Sequence, residues 1–354
     1  MNITIDCRMI NSSGIGVYLR ECLPCFFKSE NHFLLVGNQA LLQPYLSNKI
    51  KIVNCNIKPF SINELFFFPP SILKQINKTD IFYSPFFNLP GGIKIPVYTT
   101  IHDIIFPDVP ELSSKAGLAV RMWFFRRTYK ISKKIFTVSE FSKSRIEYHL
   151  GKSKPVVVTY SAIRQILLDY RSNIQNIKKE NTIVFIGNLK KHKDLNCLLN
   201  AFEIAIKEGL KHKLIIIGSG ENLRTSDKNI KKKIKAIGED VVSLKGFITD
   251  DTLKECLASA SLLVQPSLYE GFCLPPLEAM LLGTNALTSD IPVLKEIYSD
   301  YPVTYFKAGS FTDLKEKIIS LLLNKETPSP VLSKELIYKY TFDKTAAYIL
   351  KEFE

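Results

Sequence analysis

Short apolar runs alternate along the chain with segments of helical length. The runs are nearly continuous in Val, Ile, Leu and Phe, which is typical of parallel strands covered on both faces. Their alternation with helical segments predicts βαβ units. The predicted strands are Ile3–Asp6, Phe33–Val36, Ile81–Ser84, Val97–Ile101, Ile135–Val138, Val156–Tyr160, Ile183–Gly187, Leu214–Gly218, Val241–Gly246, Leu262–Gln265, Ala286–Ser289 and Val303–Phe306.

A polar stretch rich in Asn and Lys, Asp169 to Asn181, separates the two sets of predicted strands. We therefore predict an α/β protein with two Rossmann-like domains that face each other across a cleft. Ligands bind at the carboxyl ends of the strands in such domains. The predicted boundaries are 1–170 for the first domain, 171–330 for the second, and 331–354 for a helical segment that packs back on the first domain.

The charge of the chain is uneven. Its 354 residues carry a formal charge of +13, and residues 1–160 contain 20 Lys and Arg against 10 Asp and Glu. Such an excess predicts an anionic partner: nucleic acid, a membrane surface or a phosphorylated substrate. We find no apolar run of about 18 residues and no signal-peptide pattern, so we expect a cytoplasmic protein without a spanning helix.

Two glutamates, Glu270 and Glu278, stand seven residues apart, with Gly271 after the first and Pro275-Pro276 before the second. A helix that begins at proline presents backbone N–H groups to an anion. The spacing predicts one carboxylate in the loop before the helix and the other in its first turns, where the pair can hold two ends of a phosphorylated ligand. The alternative is a loop Glu and a solvated helix Glu, the usual environment of this residue type.

The segment Tyr269-Glu-Gly-Phe272 together with Glu278 resembles the Glu-x7-Glu signature of the retaining nucleotide-sugar glycosyltransferases of family 4, which have the GT-B fold. Other segments are similar to family motifs and stand in the same order over about residues 1 to 310. They are Gly14-Ile-Gly-Val-Tyr18, Thr100-Ile-His-Asp103, Thr137–Ser142, Gly187–Leu195, Gly218-Ser-Gly220 and Gly246–Asp250. Within the family, the chain looks most like mannosyltransferases of bacterial O-antigen or capsule assembly.

The resemblance implies a role for each matched residue. Glu270 contacts the donor sugar, His102 reaches the sugar from the other domain, and these two are the catalytic candidates. Glu278 holds the ribose hydroxyls, and Lys193 neutralises the diphosphate with help from backbone N–H groups. The implied donor-binding residues are Gly14, Gly16, Asn188, Lys193, Gly246, Phe247, Gly271, Phe272, Cys273, Leu274 and Glu278.

Some of these residues have simpler interpretations. A lone His before Asp is commonly a structural hydrogen-bonding residue, and a lone Lys is commonly solvated. Asn188 stands where many relatives have Arg, so one phosphate charge is missing. Lys190 or Lys191 is a candidate to replace that charge.

The resemblance implies a hexosyltransferase, with mannose from GDP-mannose as the favoured donor and a lipid-linked or growing glycan of bacterial surface polysaccharide as the acceptor. The chain contains no Asp-x-Asp, the motif with which the other large glycosyltransferase fold commonly binds a metal ion. We therefore expect metal-independent transfer without a cofactor. The alternatives are a UDP-sugar donor, a nucleotide-sugar epimerase, a catalytically dead scaffold, or a basic nucleic-acid-binding protein, for which no motif is present.

The segment from Lys115 to Lys134 contains seven Lys and Arg, no Asp or Glu, and the only Trp of the chain, Trp123. A helix here either binds an anionic membrane surface or is a core helix with a solvated basic side. The resemblance favours peripheral binding at the inner face of the cytoplasmic membrane, since related enzymes act on acceptors linked to polyprenyl diphosphate there. Nucleic acid is not expected as a partner.

Overall fold

The computed structural model describes residues 1–218, 229–323 and 328–353. Within these residues the chain divides into two compact units, Met1–Ala162 with Tyr340–Glu354 and Ile163–Lys339. The motif residue Gly220 lies outside the described residues. Each unit is built on one parallel sheet, and the predicted α/β class with two Rossmann-like domains is confirmed.

The first sheet has the strand order β3-β2-β1-β4-β5-β6-β7, so its first strand lies near the middle. All its strand pairs are parallel, with Ile3 opposite both Phe33 and Ile81. The strands are β1 (Asn2–Asp6), β2 (His32–Gly37), β3 (Ile50–Asn54), β4 (Ile81–Ser84), β5 (Val97–Thr100), β6 (Lys134–Thr137) and β7 (Val156–Val158). The helices between them are α1 (Ser13–Phe27), α2 (Gln39–Leu42), α3 (Ile62–Phe66), α4 (Pro70–Ile76), α5 (Ile105–Asp108), α6 (Lys115–Ile131) and α7 (Glu140–Leu150), with short 3-10 helices at Gln43–Tyr45 and Pro110–Leu112.

The second sheet has the order β10-β9-β8-β11-β12-β13, and its pairs are also parallel. Its strands are β8 (Thr182–Ile186), β9 (Lys213–Ile217), β10 (Val242–Gly246), β11 (Leu262–Gln265), β12 (Asn285–Ser289) and β13 (Thr304–Phe306). Its helices are α8 (Gln165–Tyr170), α9 (Leu195–Lys207), α10 (Ile230–Ile237), α11 (Asp250–Ser259), α12 (Pro275–Leu281), α13 (Pro292–Ile297), α14 (Phe311–Leu323) and α15 (Lys334–Ile337), with 3-10 helices at Arg171–Asn176 and Lys191–Lys193.

The central strands are buried on both faces, as their continuous apolar runs predict. In β1, Ile3 and Ile5 are almost fully buried, and so are Val184 and Phe185 in β8. The strand that the sequence pattern did not predict is β3, an edge strand beside β2. Because one of its faces is in contact with solvent, its five residues mix buried and exposed positions and do not form a continuous apolar run.

The unit boundary precedes the predicted residue 170, because α8 packs against α11 and α12 of the second unit. Near the C-terminus, the Tyr301 hydroxyl donates to the Leu336 carbonyl over 2.9 Å, so the chain stays with the second unit up to Lys339. The last helix, α16 (Phe342–Lys351), then packs against α1 of the first unit. Among the helices of the described residues, none combines the length and the apolar character needed to cross a bilayer.

Candidate functional site

The strand order of the second sheet reverses between β8 and β11, which are neighbours in the sheet. The connections from two such strands leave in opposite directions, so their carboxyl ends border a crevice where ligands bind in this architecture. Lys193 follows β8 and Glu270 follows β11. The Lys193 ammonium lies 2.5 Å from Glu270 Oε1, which joins two of the predicted residues in one ion pair at this point.

The local structure around Lys193 directs its side chain towards the crevice. The chain leaves β8 at Gly187, where a Cβ would lie 3.7 Å from Lys193 Cδ, so the lysine stem passes close to this glycine. Asp194 then adopts a left-handed conformation with φ of 46°, and its carboxylate caps α9 by accepting from the Cys197 N–H over 3.4 Å. The Lys193 side chain is only 15% exposed, so it is not a solvated surface lysine.

Glu270 is the centre of a short hydrogen-bonded chain. Its Oε1 accepts from the Ser267 hydroxyl over 2.6 Å, and that hydroxyl accepts from the Gln265 amide over 2.9 Å. Burial alone would raise the pKa of Glu270, but the charge of Lys193 and the hydrogen bonds from Lys193 and Ser267 hold it below its ordinary value. The carboxylate is therefore ionised at neutral pH and can accept hydrogen bonds from ligand hydroxyls.

Several buried polar atoms on and after β8, β11 and β12 have no hydrogen-bond partner. Among the described residues they include Asn188 Oδ1, His192 Nδ1, Gln265 Oε1 and Thr288 Oγ1. Gln265 and Thr288 stand opposite each other on β11 and β12, and the His192 carbonyl accepts from the Leu268 N–H over 2.8 Å. Each unpaired buried group costs about 1–3 kcal/mol, so a concentration of them at strand ends points to a ligand that supplies the missing partners.

Burial also determines the charge of His192, whose pKa is lowered to about 4. Its imidazole is therefore neutral at pH 7 and offers Nδ1 as part of a polar but uncharged wall. The sequence analysis missed His192, Gln265 and Ser267. The available signal was the change from an apolar strand to polar residues at the end of β11, Leu-Leu-Val-Gln-Pro-Ser.

Glu278 lies in the first turn of α12 and is 3% exposed. Its Oε1 accepts from Arg164 Nε over 2.8 Å, and Arg164 Nη1 also donates to Asp250 Oδ1 over 2.6 Å. Arg164 is itself buried, so this guanidinium fixes the orientation of the Glu278 carboxylate. The sequence analysis missed Arg164, because it precedes Glu278 by 114 residues and has no motif of its own.

The loop between the two glutamates is tightly packed. Gly271 and Leu274 are half-buried, while Phe272 and Cys273 are buried. Cys273 has a left-handed φ of 76°, and its carbonyl accepts from the Tyr298 hydroxyl. A non-glycine residue held in this region stores strain of about 1–3 kcal/mol, which is common at ligand sites. Burial raises the pKa of Cys273, so the residue is a thiol and not a thiolate nucleophile.

Gly246 and Phe247 lie at the end of β10, which β9 separates from β8. Gly246 has a left-handed φ of 65°, and its carbonyl accepts from the Gly218 N–H over 2.8 Å. Phe247 is 80% exposed, so its ring has an open face for a planar ligand. These two residues thus lie at the same edge of the sheet as Lys193 but two strands away.

His102, Gly14 and Gly16 belong to the first unit. His102 Nε2 lies 2.8 Å from the Pro85 carbonyl; because a carbonyl only accepts, Nε2 carries the proton and Nδ1 is left as an acceptor. Burial lowers the pKa of His102, so the ring is neutral at pH 7. The structural hydrogen bond to Pro85 and a ligand-facing Nδ1 are compatible roles.

The two glycines lie in the first turns of α1 and not in a loop. A Cβ on Gly16 would lie 2.5 Å from the Ile10 carbonyl oxygen, so this glycine is required for the close packing of the β1–α1 connection. Gly14 is exposed, and a Cβ there would meet no atom within 4 Å. Close packing therefore explains the glycine at position 16, and no contact in the structure explains the glycine at position 14.

Within the described parts of the chain, no three His, Cys, Asp or Glu side chains come together in a way that could hold a metal ion. The charged groups at the switch point are instead the Lys193–Glu270 pair and, on α12, Glu278 with Arg164. The site therefore offers one ammonium, two oriented carboxylates and several neutral acceptors.

Part of the chain is similar in sequence to known glycosyltransferases. A family model described as "Glycosyl transferases group 1" matches residues 169–332. The O-antigen chain mannosyltransferase B of Escherichia coli is 27% identical over 234 residues, 63% of this chain and 60% of that protein. The O-antigen chain mannosyltransferase RfbU of Salmonella typhimurium is 27% identical over 210 residues, 57% of this chain and 54% of that protein. The matches thus span somewhat more than half the length of these relatives.

The fold comparison covers nearly the whole chain. The crystal structure of Anabaena HepE in complex with UDP and glucose superposes with a TM-score of 0.74 at 15% identity, covering 99% of this chain and 98% of that one. The resemblance to glycosyltransferases is therefore confirmed. Residues 169–332 match the model of the glycosyl transferases group 1, and the chain as a whole has the GT-B fold.

Proposed function

We propose that the protein is a retaining glycosyltransferase of family 4 that transfers a hexose from a nucleotide diphosphate sugar to a hydroxyl of a glycan. The observation that carries the proposal is the Lys193–Glu270 ion pair at the switch point of the second sheet. A buried ammonium and carboxylate at strand ends, beside unpartnered acceptors, match a ligand that has both phosphates and hydroxyls.

In this proposal the second unit binds the donor and the first unit binds the acceptor. The Lys193 ammonium contacts the diphosphate, assisted by the backbone of Phe272, Cys273 and Leu274, while Glu270 accepts from hydroxyls of the sugar. Glu278, held by Arg164, accepts from the ribose hydroxyls. Gly246 and Phe247 border the base. His102 contributes its Nδ1 acceptor from the first unit, where Gly14 and Gly16 form the start of α1.

The reaction follows from these contacts by substitution on one face of the sugar. The bond between the anomeric carbon and the diphosphate oxygen breaks, and the acceptor oxygen bonds to the same carbon from the same side. The acceptor proton passes to the departing diphosphate, whose developing charge is stabilised by Lys193. No covalent nucleophile takes part, in agreement with the protonated state of Cys273.

The favoured donor is GDP-mannose, supported by the two relatives named as mannosyltransferases. A UDP-sugar is the second candidate, supported by the HepE structure with UDP and glucose. Thermal unfolding in the presence of each nucleotide sugar distinguishes them, because a ligand at 100 times its dissociation constant adds about 2.7 kcal/mol of stability. We expect the largest rise in Tm with GDP-mannose.

The acceptor in this proposal is a lipid-linked or growing glycan of a bacterial surface polysaccharide, reached at an anionic membrane surface by the basic helix α6. Transfer requires no cofactor and no metal ion, since Lys193 provides the charge at the diphosphate. Activity should therefore survive EDTA, and complete loss that magnesium or manganese restores would contradict this part. An epimerase would instead convert the donor without any acceptor.

The central experiment compares Glu270→Gln and Glu278→Ala with the control Glu203→Gln, whose carboxylate forms an exposed ion pair with Lys207. Glu270→Gln should lower kcat at least tenfold, because its contacts strengthen in the transition state. Glu278→Ala should mainly weaken donor binding, since ribose is held equally in both states. Wild-type turnover and donor affinity in both variants would refute the site assignment.

A further inference from the structure

The first unit contains a short helix with inverted polarity. In α3, the buried residue is the charged Glu64, at 0% exposure, whereas Ile62 and Phe66 are 70% and 72% exposed. Phe67, directly after the helix, is 70% exposed. A surface helix of a globular protein normally places its apolar side chains inward and its charges outward. The outward apolar face of α3 therefore needs an explanation from outside this unit's core.

A buried ion cluster fixes this orientation. Arg8 Nη2 donates to Glu64 Oε1 and to Asp6 Oδ2, each over 2.6 Å, and all three side chains are almost fully buried. Glu64 Oε2 accepts from the Phe60 N–H over 2.7 Å and from the Asn88 amide. Turning α3 over would break the buried Arg8–Glu64 ion pair and the hydrogen bond from the Asn88 amide, which is unfavourable in the interior. The buried contacts of Glu64 therefore keep the apolar side chains of α3 on the outside.

Phe60, which precedes α3, joins this segment to helix α6. The ring centroids of Phe60 and Phe124 lie 5.9 Å apart, and those of Phe124 and Trp123 lie 5.0 Å apart. Phe60 is 47% exposed. The intervening loop connects them, because Arg127 donates to the Leu89 carbonyl over 2.8 Å and the N–H of Gly91 donates to the Glu64 carbonyl over 2.9 Å. We call the exposed side chains of Phe60, Ile62, Phe66, Phe67 and Trp123 the apolar surface.

The two stretches of sequence that contain the apolar surface are basic. Between residues 31 and 79 the only Asp or Glu is the buried Glu64, and between residues 112 and 139 there is none. The same two segments contain five and seven Lys and Arg, and Lys58, Arg126 and Lys130 are among the exposed ones. Apolar side chains that project from a rim of cations complement an anionic bilayer, in which acyl chains lie beneath a layer of phosphates. Because the aliphatic side chain of Ile62 cannot stack on nucleic-acid bases, its exposure favours lipid over nucleic acid as the partner.

We propose that α3 inserts the apolar surface into an anionic phospholipid membrane while Arg126 and Lys130 of α6 bind the headgroup phosphates. The proposal rests on the membrane location in the proposed function and adds the inserting element to it. The basic residues alone would give binding that salt abolishes. Insertion of the apolar surface adds a part of the binding that salt leaves in place, because screening acts on the charges and not on buried apolar area.

Co-sedimentation with phosphatidylglycerol and phosphatidylcholine vesicles tests the two contributions separately. Phe66→Ser/Phe67→Ser should weaken partitioning to phosphatidylglycerol about tenfold, and the control Leu46→Ser/Tyr348→Ser, at 52% and 55% exposure in the same unit, should not. At low salt, Arg126→Gln/Lys130→Gln should weaken partitioning to phosphatidylglycerol more than tenfold. The control Lys51→Gln/Lys152→Gln should weaken partitioning by less than half of that factor. Equal binding of the Phe66/Phe67 variant and its control overturns the insertion, even if the charge variant confirms membrane attraction.

Trp123 gives a second measurement on the unaltered protein. It is the only Trp of the chain and is 49% exposed, so its fluorescence reports the surroundings of the apolar surface. With phosphatidylglycerol vesicles we expect a blue shift and quenching by lipids brominated near the headgroup. An emission spectrum unchanged by saturating vesicles, or a shift given equally by single-stranded RNA, contradicts the proposal. Neither measurement uses donor or acceptor, so loss of transferase activity and loss of membrane binding are scored independently.

Discussion

The two sheets carry ion clusters at equivalent places, and the clusters differ in what surrounds them. In the first unit, Asp6 ends β1 and Arg8 follows it, and Glu64 completes a cluster whose side chains are at most 2% exposed. In the second unit, Lys193 and Glu270 follow β8 and β11 with 15% and 10% exposure. The first six strands have the same order in both sheets, yet one cluster is fully enclosed and the other is slightly exposed.

The polar atoms nearby make the same distinction. Among the described residues, four with a buried polar atom that lacks a hydrogen-bond partner lie in or after strands of the second sheet: Asn188 and His192 after β8, Gln265 at the end of β11 and Thr288 in β12. Beside the first cluster, the atom in this state is Asn88 Oδ1. A buried charge cluster that is nearly saturated serves the fold, and one with spare acceptors serves a ligand. The strand order predicts both places. The presence or absence of hydrogen-bond partners then distinguishes the structural cluster from the ligand site.

The largest expected effect comes from breaking the enclosed cluster. Arg8→Met leaves Asp6 and Glu64 buried without their cation and should lower the free energy of unfolding by about 3–5 kcal/mol. The control Lys49→Met removes only the exposed pair with Glu30 and should leave the free energy of unfolding nearly unchanged, because exposed ion pairs contribute little. Urea unfolding at pH 7 measures both. If the two variants were equally stable, the first cluster would not have the structural role assigned to it.

The next effect concerns the pH dependence of the second unit. His192 has a folded pKa of about 4, below its unfolded value of about 6.5, so the unfolded state binds the proton more readily. Stability from this group is complete above pH 6.5 and is lost as pH falls towards 4, by up to about 3 kcal/mol. In His192→Gln, the free energy of unfolding should depend less on pH between 6.5 and 4. A slope identical to that of the wild type between pH 6.5 and 4 would contradict a buried neutral His192.

A smaller effect is expected at Arg164, which we regard as a positioning residue for Glu278. Arg164→Gln should weaken donor binding about tenfold, because a charge-assisted hydrogen bond contributes about 1.5–3 kcal/mol and the glutamine partly replaces it. The preference for ribose over a 2′,3′-dideoxy nucleotide should shrink with it. Asp250→Asn is the matched control, since Asp250 is 58% exposed and touches the other side of the same guanidinium. Calorimetric titration measures both variants, and an unchanged ribose preference in Arg164→Gln would argue for a purely structural residue.

The smallest effect tests whether the regions act separately. Phe66→Ser/Phe67→Ser alters exposed side chains of the first unit and should leave donor affinity unchanged within about twofold. The measurement is the same calorimetric titration in solution without vesicles. A large loss of donor affinity would show that the apolar surface belongs to the donor site.

The sequence predicted the strands well where burial makes the pattern continuous, and it failed at β3, where an edge position exposes one face. It predicted Glu270, Glu278 and Lys193 as site residues because their motifs are local. It missed Arg164 and His192, since an ion pair over 114 residues and an unpartnered ring nitrogen exist only after folding. For the Lys115–Lys134 segment it favoured a membrane-binding helix over a core helix with a solvated basic side. Phe125 is buried in the core while Trp123 is exposed, and membrane binding stays a prediction.

Hydrogen–deuterium exchange with and without GDP-mannose tests most directly whether the donor binds at the strand ends of the second unit. The account predicts slower exchange in residues 187–193 and 267–278, and the protection should be lost in Lys193→Met. Slower exchange confined to residues 6–16 and 100–103 of the first unit, with no change around Lys193 and Glu270, would contradict it.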